Sequence, residues 1–380
     1  MISPAGSRQI LAFLVTEDWY FLSHRLPMAR AALQAGYEVH VLTNVSRGGA
    51  AIEAGGFHLH PLRWRRGSLN PRNLLSIVAQ VRAIYRELRP ALAHHVAMQP
   101  TVVGSLAARG LPVVCINALA GLGYGFTSKR FKAKAIRPLL AALLRRAVKR
   151  KNSFVLVQNP DDREVALNLG AAREKIFLIP GSGVDTKKFM LLPEPAGPIT
   201  AAFVGRLLDD KGLRTLIAAC KLLIARGRGI HLLIAGEADP ANPGSIPKAE
   251  IESWRHVKGV TLLGHADVGE VWRQAHIAVL PSRREGLPLS LLEAAACGRP
   301  IVATDVSGCR EVARAGLNAI LVPPDDPTAL ADAIDRLASD PALRRQYGAA
   351  GRQLVEQNFS SAIIGQAIVA LYDRLAARPG

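Results

Sequence analysis

The sequence predicts an α/β protein built from two doubly wound domains in tandem. Three observations carry this. A chain of 380 residues exceeds what one ordinary core holds, so two domains of similar size are expected. Short β-rich apolar runs alternate with helical stretches, the pattern of a parallel sheet with helices on both faces. The alternation breaks once, at LLPEPAGP (Leu191–Pro198), and then restarts. Three prolines and a glycine in those eight residues make a stiff, non-helical connector. The expected boundaries are therefore an N-terminal domain over 1–190, a Pro-rich linker over 191–198 and a C-terminal domain over 199–358. A final helix over 359–380 has the option of packing back on the first domain.

In the first half the expected strands are Ile10–Val15, Glu38–Leu42, Pro112–Ile116, Ser153–Val157 and Ile176–Ile179. Between the first two lies a helix that Ser23 caps, that carries Leu26, Ala29 and Leu33 on one face, and that Gly36 ends. In the second half the expected strands are Ile199–Val204, His231–Ala235, Val260–Leu263, Ile277–Leu280, Pro300–Ala303 and Ala319–Val322. Helices fall between them, notably Leu213–Ala225 and Pro288–Cys297. In open α/β sheets ligands bind outside the carboxyl ends of the strands, so two such domains facing a cleft would hold one ligand from each side.

An apolar content of 49% excludes a disordered chain. The longest apolar runs, such as Ile10–Val15, fall far short of the ~18 residues of a spanning helix. The N-terminus MISPAGSRQ lacks the charged-then-apolar pattern of a secretory signal, so a cytoplasmic protein is expected. Cys115, Cys220, Cys297 and Cys309 are scattered without a CxxC pair; buried free thiols are expected, with no metal site and no cofactor.

The net charge of +18 is unevenly spread. Residues 1–190 hold 27 Lys and Arg against 10 Asp and Glu, while residues 191–380 hold 21 against 20. No acid occurs between Glu87 and Asp161, and ten of the twelve cations in that stretch lie within Lys129–Lys151. A chain with one basic and one neutral half meets a polyanion with the first half only.

The segment PSRREGLPLSLLEAAACGRPIVAT (Pro281–Thr304) follows a strand that ends near Leu280. Glu285 lies in the loop, Pro288 suits the first turn of a helix, and Gly298 ends that helix. An exposed helix N-terminus at the carboxyl edge of a sheet is a site for an anionic diphosphate. Glu293, inside the helix, can reach both hydroxyls of a ribose as an ionised carboxylate, and Glu285 can meet sugar hydroxyls. Spacing alone is also met by two solvated surface carboxylates, because short motifs match by accident. A second segment, FVGRLLDDKG (Phe203–Gly212), places Gly205, Arg206 and Lys211 at a strand end, where two cations fit two phosphate charges. The alternative is a salt bridge from Arg206 or Lys211 to Asp209 or Asp210.

Together with GSGVDTKKF (Gly181–Phe189), LIAGEAD (Leu233–Asp239), the stretch Leu280–Val312 and NAILVPPDD (Asn318–Asp326), these segments resemble the retaining GT-B glycosyltransferases of family 4. The Glu285/Glu293 pair matches that family's E-x7-E motif. The resemblance implies a GT-B fold and a nucleotide-sugar donor, a UDP-sugar, held by the second domain as a co-substrate. Arg206 and Lys211 would neutralise the diphosphate and Glu293 would hold the ribose. Glu285, with the Gly286–Leu287 backbone, would contact the transferred sugar. Gly236, Glu237, Gly264 and His265 would lie near the base.

DWYFLSHRLP (Asp18–Pro27), HHVAMQP (His94–Pro100), NALAGLGYGFTSKR (Asn117–Arg130) and VQNPDDREV (Gln158–Val165) look like the branch that builds glycans on polyprenyl-diphosphate carriers. The resemblance implies a lipid-linked or oligosaccharide acceptor. Many family members carry a histidine just before the loop glycine. Here that stretch is Asn117–Ala120, so a backbone contact from Leu119–Gly123, including Gly121 and Gly123, takes its place. GLGYG is GxGxG rather than GxGxxG, and no acid follows it for a ribose, so it is not a dinucleotide fingerprint.

In the basic segment, Ile136, Leu139, Leu140, Leu143, Leu144 and Ala147 recur at helical spacing. One reading is a helix on the anionic inner membrane surface, through Lys129, Arg130, Lys132, Lys134, Arg145, Arg146, Lys149, Arg150 and Lys151. The other is an amphipathic helix with a solvated basic face. His24 and His95 are candidate acid–base groups, and each is equally compatible with a packed or surface histidine. Competing functions are a nucleotide-sugar epimerase or phosphorylase, or a soluble-acceptor transferase, on the same scaffold. A nucleic-acid-binding protein is not expected, because Phe131 is the one aromatic in the patch available to stack on bases.

Overall fold

The computed structural model describes residues 8–64, 71–119 and 131–377, with only the backbone described for residue 71 and residues 131–137. The chain divides into two compact units. The first runs through Ser182 and resumes at Ser361; the second is Gly183–Ser360.

The first unit holds a parallel sheet of strands β1 (Ile10–Glu17), β2 (Glu38–Asn44), β3 (His58–Pro61), β4 (Leu92–Val96), β5 (Val114–Ala118), β6 (Ser153–Val157) and β7 (Ile176–Leu178). Their order is β3-β2-β1-β4-β5-β6-β7. Alternation along β1 sorts its side chains between two cores. Leu11, Phe13 and Val15 join a cluster with Phe21 and Met28, while Ala12 and Leu14 join Val81, Tyr85 and Val103 on the other face. The C-terminal helix Ser361–Ala376 belongs to the first of these clusters through Ile364, Ile368, Leu371 and Tyr372. Each such side chain contributes roughly 1.5–3 kcal/mol when buried. Tyr37 Oη donates to Asp373 at 2.7 Å, and Tyr372 Oη meets His94 Nδ1 at 2.6 Å.

The second unit holds β8 (Thr200–Val204), β9 (His231–Ala235), β10 (Val260–Gly264), β11 (Ile277–Leu280), β12 (Ile301–Thr304) and β13 (Ala319–Val322), all parallel. The order is β10-β9-β8-β11-β12-β13, so strand order reverses between β8 and β11. That switch point opens a crevice at the carboxyl ends of those two strands.

Three expectations change. Ser23 does not cap the first helix, which runs Asp18–His24; its Oγ donates back to Trp19 O at 2.8 Å. A second helix, Leu26–Gln34, starts after Arg25. The units part at Ser182 and Gly183, not at the proline-rich stretch. That stretch is fastened to the second unit: Arg299 donates to Pro193 O at 2.8 Å, and buried Arg344 pairs with Glu194 at 2.5 Å. β3 answers to no expected strand, and β4 is expected only as a strand that His94 and His95 end.

Candidate functional site

The carboxyl ends of β8 and β11 bring together the residues singled out from the two motifs. After β8 the chain passes Gly205 and Arg206 and makes a short 3-10 turn, Asp209–Lys211. Gly212 then takes up left-handed backbone, φ 70°, and opens the helix Leu213–Ala225. Glycine is required there twice over: the conformation disfavours a side chain, and a Cβ would overlap the Pro281 carbonyl. The turn carrying Lys211 is thereby pressed against the loop that follows β11.

That loop carries Glu285. Lys211 Nζ donates to Glu285 Oε1 at 2.6 Å, and Ser282 Oγ donates to the same oxygen at 2.6 Å. Oε2 takes no hydrogen bond among the described residues. The Glu285 side chain is only 9% exposed, so its pairing with Lys211 is screened less than a surface ion pair. Buried Thr304 donates to the Ser282 carbonyl, holding the loop to β12. On the far side, a Cβ on Gly308 would collide with the Glu285 and Gly286 carbonyls, so a glycine lets the helix Ser307–Val312 pack against them. Arg284 pairs with Asp210 at 2.8 Å, and Arg283 N–H donates to Asp210 O at 2.8 Å, tying the same two loops.

Pro288 is the residue before the helix Leu289–Ala296 rather than a member of its first turn, and no side chain caps this end. Leu291 and Leu292 N–H both donate to Pro288 O. The N–H groups before them point out of the helix end, where an anion is favoured. Glu293 sits in the second turn, half-buried, and its carboxyl has no hydrogen-bond or ion-pair partner among the described residues. Burial pushes its carboxyl up to about 8; Lys188 pulls it down and Asp267 adds to the rise. The sequence reading takes this carboxyl as ionised; its burial favours the protonated form instead. A protonated carboxyl donates one hydrogen bond and accepts others, which still suits a pair of hydroxyls.

Arg206 is directed to neither Asp209 nor Asp210. It pairs with Asp239 at 2.8 Å, while Asp209 pairs with Arg214 at 2.6 Å. Beside it, Gly205, Gly236 and Gly264 end neighbouring strands: Gly205 N–H donates to Ala235 O at 3.0 Å and Gly236 N–H to Gly264 O at 2.7 Å. Glu237 and His265 follow them and are exposed; Gly286 and Leu287 are half-buried beside Glu285. Sequence reasoning gives no role to Ser282, Asp239 or Gly308, although Ser282 stands three residues before Glu285 in the same motif.

Other candidates are displaced. His95 is fully buried, with Nε2 3.1 Å from Tyr85 Oη and Nδ1 2.8 Å from Asn117 Oδ1. Burial lowers it to about 4, so it is a neutral core histidine and not an acid–base group facing a ligand. His24 stacks on Tyr20 with centroids 4.3 Å apart, and its Nδ1 lies 2.6 Å from Ser23 Oγ. Arg150 is not a membrane-facing cation: it donates to Ser105 O at 3.1 Å and Ala108 O at 3.0 Å, capping the helix Met98–Ala107. Arg145, Arg146, Lys149 and Lys151 are exposed, as is Leu139 on the same helix, Phe131–Val148. Gly121, Gly123, Lys129 and Arg130 lie outside the described residues, as do the side chains of Lys132 and Lys134.

Comparison with known proteins places this geometry. A family model for "Glycosyl transferases group 1" matches residues 198–340, and one for "Glycosyl transferase 4-like" matches residues 10–159. The chain is 27% identical over 379 residues to the N,N'-diacetylbacillosaminyl-diphospho-undecaprenol alpha-1,3-N-acetylgalactosaminyltransferase of Campylobacter jejuni, covering 93% of this chain and 98% of that protein. Its fold is similar to that of a sucrose-phosphate synthase from Thermosynechococcus elongatus, with a TM-score of 0.82 at 23% identity, covering 97% of this chain and all (100%) of the other. It also resembles Anabaena HepE, solved in complex with UDP-glucose, with a TM-score of 0.78 at 17% identity over 97% of this chain and 100% of that one. With one such model on each parallel-sheet unit, the chain belongs to the group 1 and 4-like glycosyltransferases and is an enzyme of the GT-B fold.

Proposed function

We propose that the enzyme transfers a hexosyl or N-acetylhexosaminyl group, with retention, from a UDP-sugar to a polyprenyl-diphosphate-linked glycan in cell-surface polysaccharide biosynthesis. The observation that carries the donor half is the convergence of Lys211, Glu285 and the uncapped helix end after Pro288 at the switch point of the second sheet. The leaving nucleoside diphosphate gains negative charge as the sugar departs. Preorganised cations and N–H dipoles lower that barrier more than they favour the bound donor. Arg206 and Lys211 face the diphosphate, Glu293 the ribose, and the free oxygen of Glu285 the transferred sugar. Both carboxyl groups lie on the donor side, which supports front-face transfer without a protein nucleophile.

The acceptor reading is supported by the Campylobacter relative, whose name specifies a diphospho-undecaprenol substrate and which aligns along almost the whole chain. The exposed Arg145, Arg146 and Lys149, beside the 63% exposed Leu139, would bring the enzyme to the anionic inner face of the membrane that carries such lipids. Among the described residues no helix is long and apolar enough to cross a membrane.

Calorimetry against UDP-, GDP-, ADP- and dTDP-sugars tests the donor, followed by product analysis with a short-chain polyprenyl-diphosphate saccharide. Saturable binding of UDP-sugars alone and an α-linked product from an α-linked donor are expected. Selective binding of another nucleotide, or an inverted product, overturns the corresponding part.

A further inference from the structure

A cluster of ligating side chains lies away from the donor site, on the outer edge of the first sheet. β2 and β3 run parallel with His40 beside His58 and Leu42 beside His60. The two-residue repeat of a strand then puts Glu38 and His40 on one face of β2, with His58 and His60 on the same face of β3. His40 Nε2 lies 3.0 Å from Glu38 Oε1, and His58 Nε2 lies 3.5 Å from that same oxygen. One ligand atom from each of the three residues falls within 4.8 Å of the others. Behind them, His40 Nδ1 is 2.9 Å from His60 Nε2. The three imidazoles are stacked, with centroids 4.7 Å apart for His40 and His58 and 5.1 Å for His40 and His60.

We propose that Glu38, His40 and His58 form a binding site for a divalent transition metal of the zinc class. Ligands bonded at ~2.0–2.1 Å around a tetrahedral ion stand ~3.3 Å apart, close to both separations measured to Glu38 Oε1. Two imidazoles and a carboxylate suit zinc and its neighbours, whereas magnesium and calcium take oxygen ligands. In the occupied site His40 uses Nε2 for the ion and donates its Nδ1 proton to His60 Nε2. That is the outer hydrogen bond metal-bound histidines ordinarily make. His40 is 6% exposed and supplies the rigid anchor; His58 at 59% and Glu38 at 36% open the remaining coordination position to water.

The site lies toward the amino-terminal end of β2, and ligands of α/β sheets bind at the carboxyl end, so this ion takes no part in sugar transfer. It fastens the four-residue edge strand β3 to the sheet. The expectation of no metal ligands came from cysteine spacing. His58 and His60 stand 18 to 22 positions from Glu38 and His40 along the chain and meet them only through the pairing of β2 with β3.

The test uses untagged full-length protein stripped with a chelator and titrated calorimetrically with Zn²⁺ at neutral pH. A parallel Co²⁺ titration reports tetrahedral coordination by its visible absorption. One ion per chain, a higher melting temperature with Zn²⁺ and no competition from Mg²⁺ are expected. His58→Ala, which removes an exposed side chain, and Glu38→Gln should each weaken Zn²⁺ binding by about 10-fold or more. Both should leave the metal-free melting temperature and the nucleotide affinity unchanged. Absence of stoichiometric binding overturns the proposal. So does an ion bound equally tightly by the parent and both variants, because it then sits elsewhere.

Discussion

Asp18 and Glu293 each follow a central strand of their own sheet, β1 and β11; Asp18 is fully buried and Glu293 half-buried. The Asp18 carboxylate accepts from Trp19 N–H at 2.7 Å, Ser46 N–H and Oγ at 2.7 Å each, Arg47 N–H at 3.0 Å and Gly48 N–H at 2.6 Å. The Glu293 carboxyl accepts nothing from the described residues. Burial works to raise both. In Asp18 the hydrogen bonds from Ser46, Gly48 and Trp19 outweigh it and hold the carboxyl below its ordinary value; in Glu293 burial wins. A carboxylate already saturated with donors shapes a loop. One buried with no donors keeps its capacity for a ligand, at a cost in stability.

Glu285 stands between these cases, with one oxygen doubly engaged and the other unengaged, and it gives the largest expected effect. Glu285→Gln keeps an acceptor for Lys211 and Ser282 but removes the charge. We expect kcat to fall by about 10²–10³-fold, roughly 2.7–4 kcal/mol, with the melting temperature little changed. A variant that turns over normally would make the Lys211 pair purely structural. Asp18→Ala should cost about 3 kcal/mol of folding free energy at neutral pH, because buried N–H groups lose their acceptor. The sign of its pH dependence follows from the lowered value. The contribution is present above the unfolded value near 3.8 and is lost as pH falls through the folded one, so parent and variant converge in acid. Urea melts at several pH values measure both effects.

The same contrast explains what was legible beforehand. The four inner strands of the second unit, β8, β9, β11 and β12, are buried on both faces and read as continuous apolar runs, and the expected spans of all six fall within a residue or two of those observed. β3, with sequence HLHP, offers two histidines and a proline at a sheet edge; without an apolar run there was no signal to find. The prolines of Leu191–Pro198 mark a break in helix, but only the folded chain shows Arg299 and Arg344 fastening it. At the candidate site, residue types were readable and partners were not. Lys211 and Glu285 are 74 positions apart, and the glycine contacts that press their loops together depend on tertiary packing. His95 shows the converse: a histidine at a strand end carries no mark of whether its ring turns inward.

The exposed cations of the first unit give a smaller effect. Each contributes about 1 kcal/mol near an anionic bilayer, so Arg145→Gln with Arg146→Gln should weaken binding to anionic vesicles by roughly 2 kcal/mol, about 30-fold. Parent binding should fall steeply with salt, as the Debye length shrinks from ~10 Å at 0.1 M to ~3 Å at 1 M. UDP affinity should stay unchanged. Arg150 is left out of this variant because its loss would uncap a helix. Equal sedimentation of parent and double variant would leave the helix a solvated surface.

The smallest effect isolates Glu293. Its carboxyl is raised to about 8 in the folded chain, against an ordinary value of 4.5. Between those values the unfolded chain has lost the proton and the native chain keeps it, so the native state binds more protons and stability falls as pH rises. The favourable side is low pH: the full benefit is present below the unfolded value and is gone once pH passes the folded one. The slope is at most about 1.4 kcal/mol per pH unit, and partial exposure reduces it. Glu293→Gln cannot ionise, so its melts between pH 6 and 8 should lack this component and cross those of the parent, with the variant more stable at the alkaline end. Nucleotide binding should move the other way: if the ribose hydroxyls use this carboxyl, Glu293→Gln weakens UDP by about 1–3 kcal/mol while stabilising the free protein. Loss of affinity together with loss of stability would place Glu293 with Asp18 as a structural group; opposite signs would keep the two carboxyls apart.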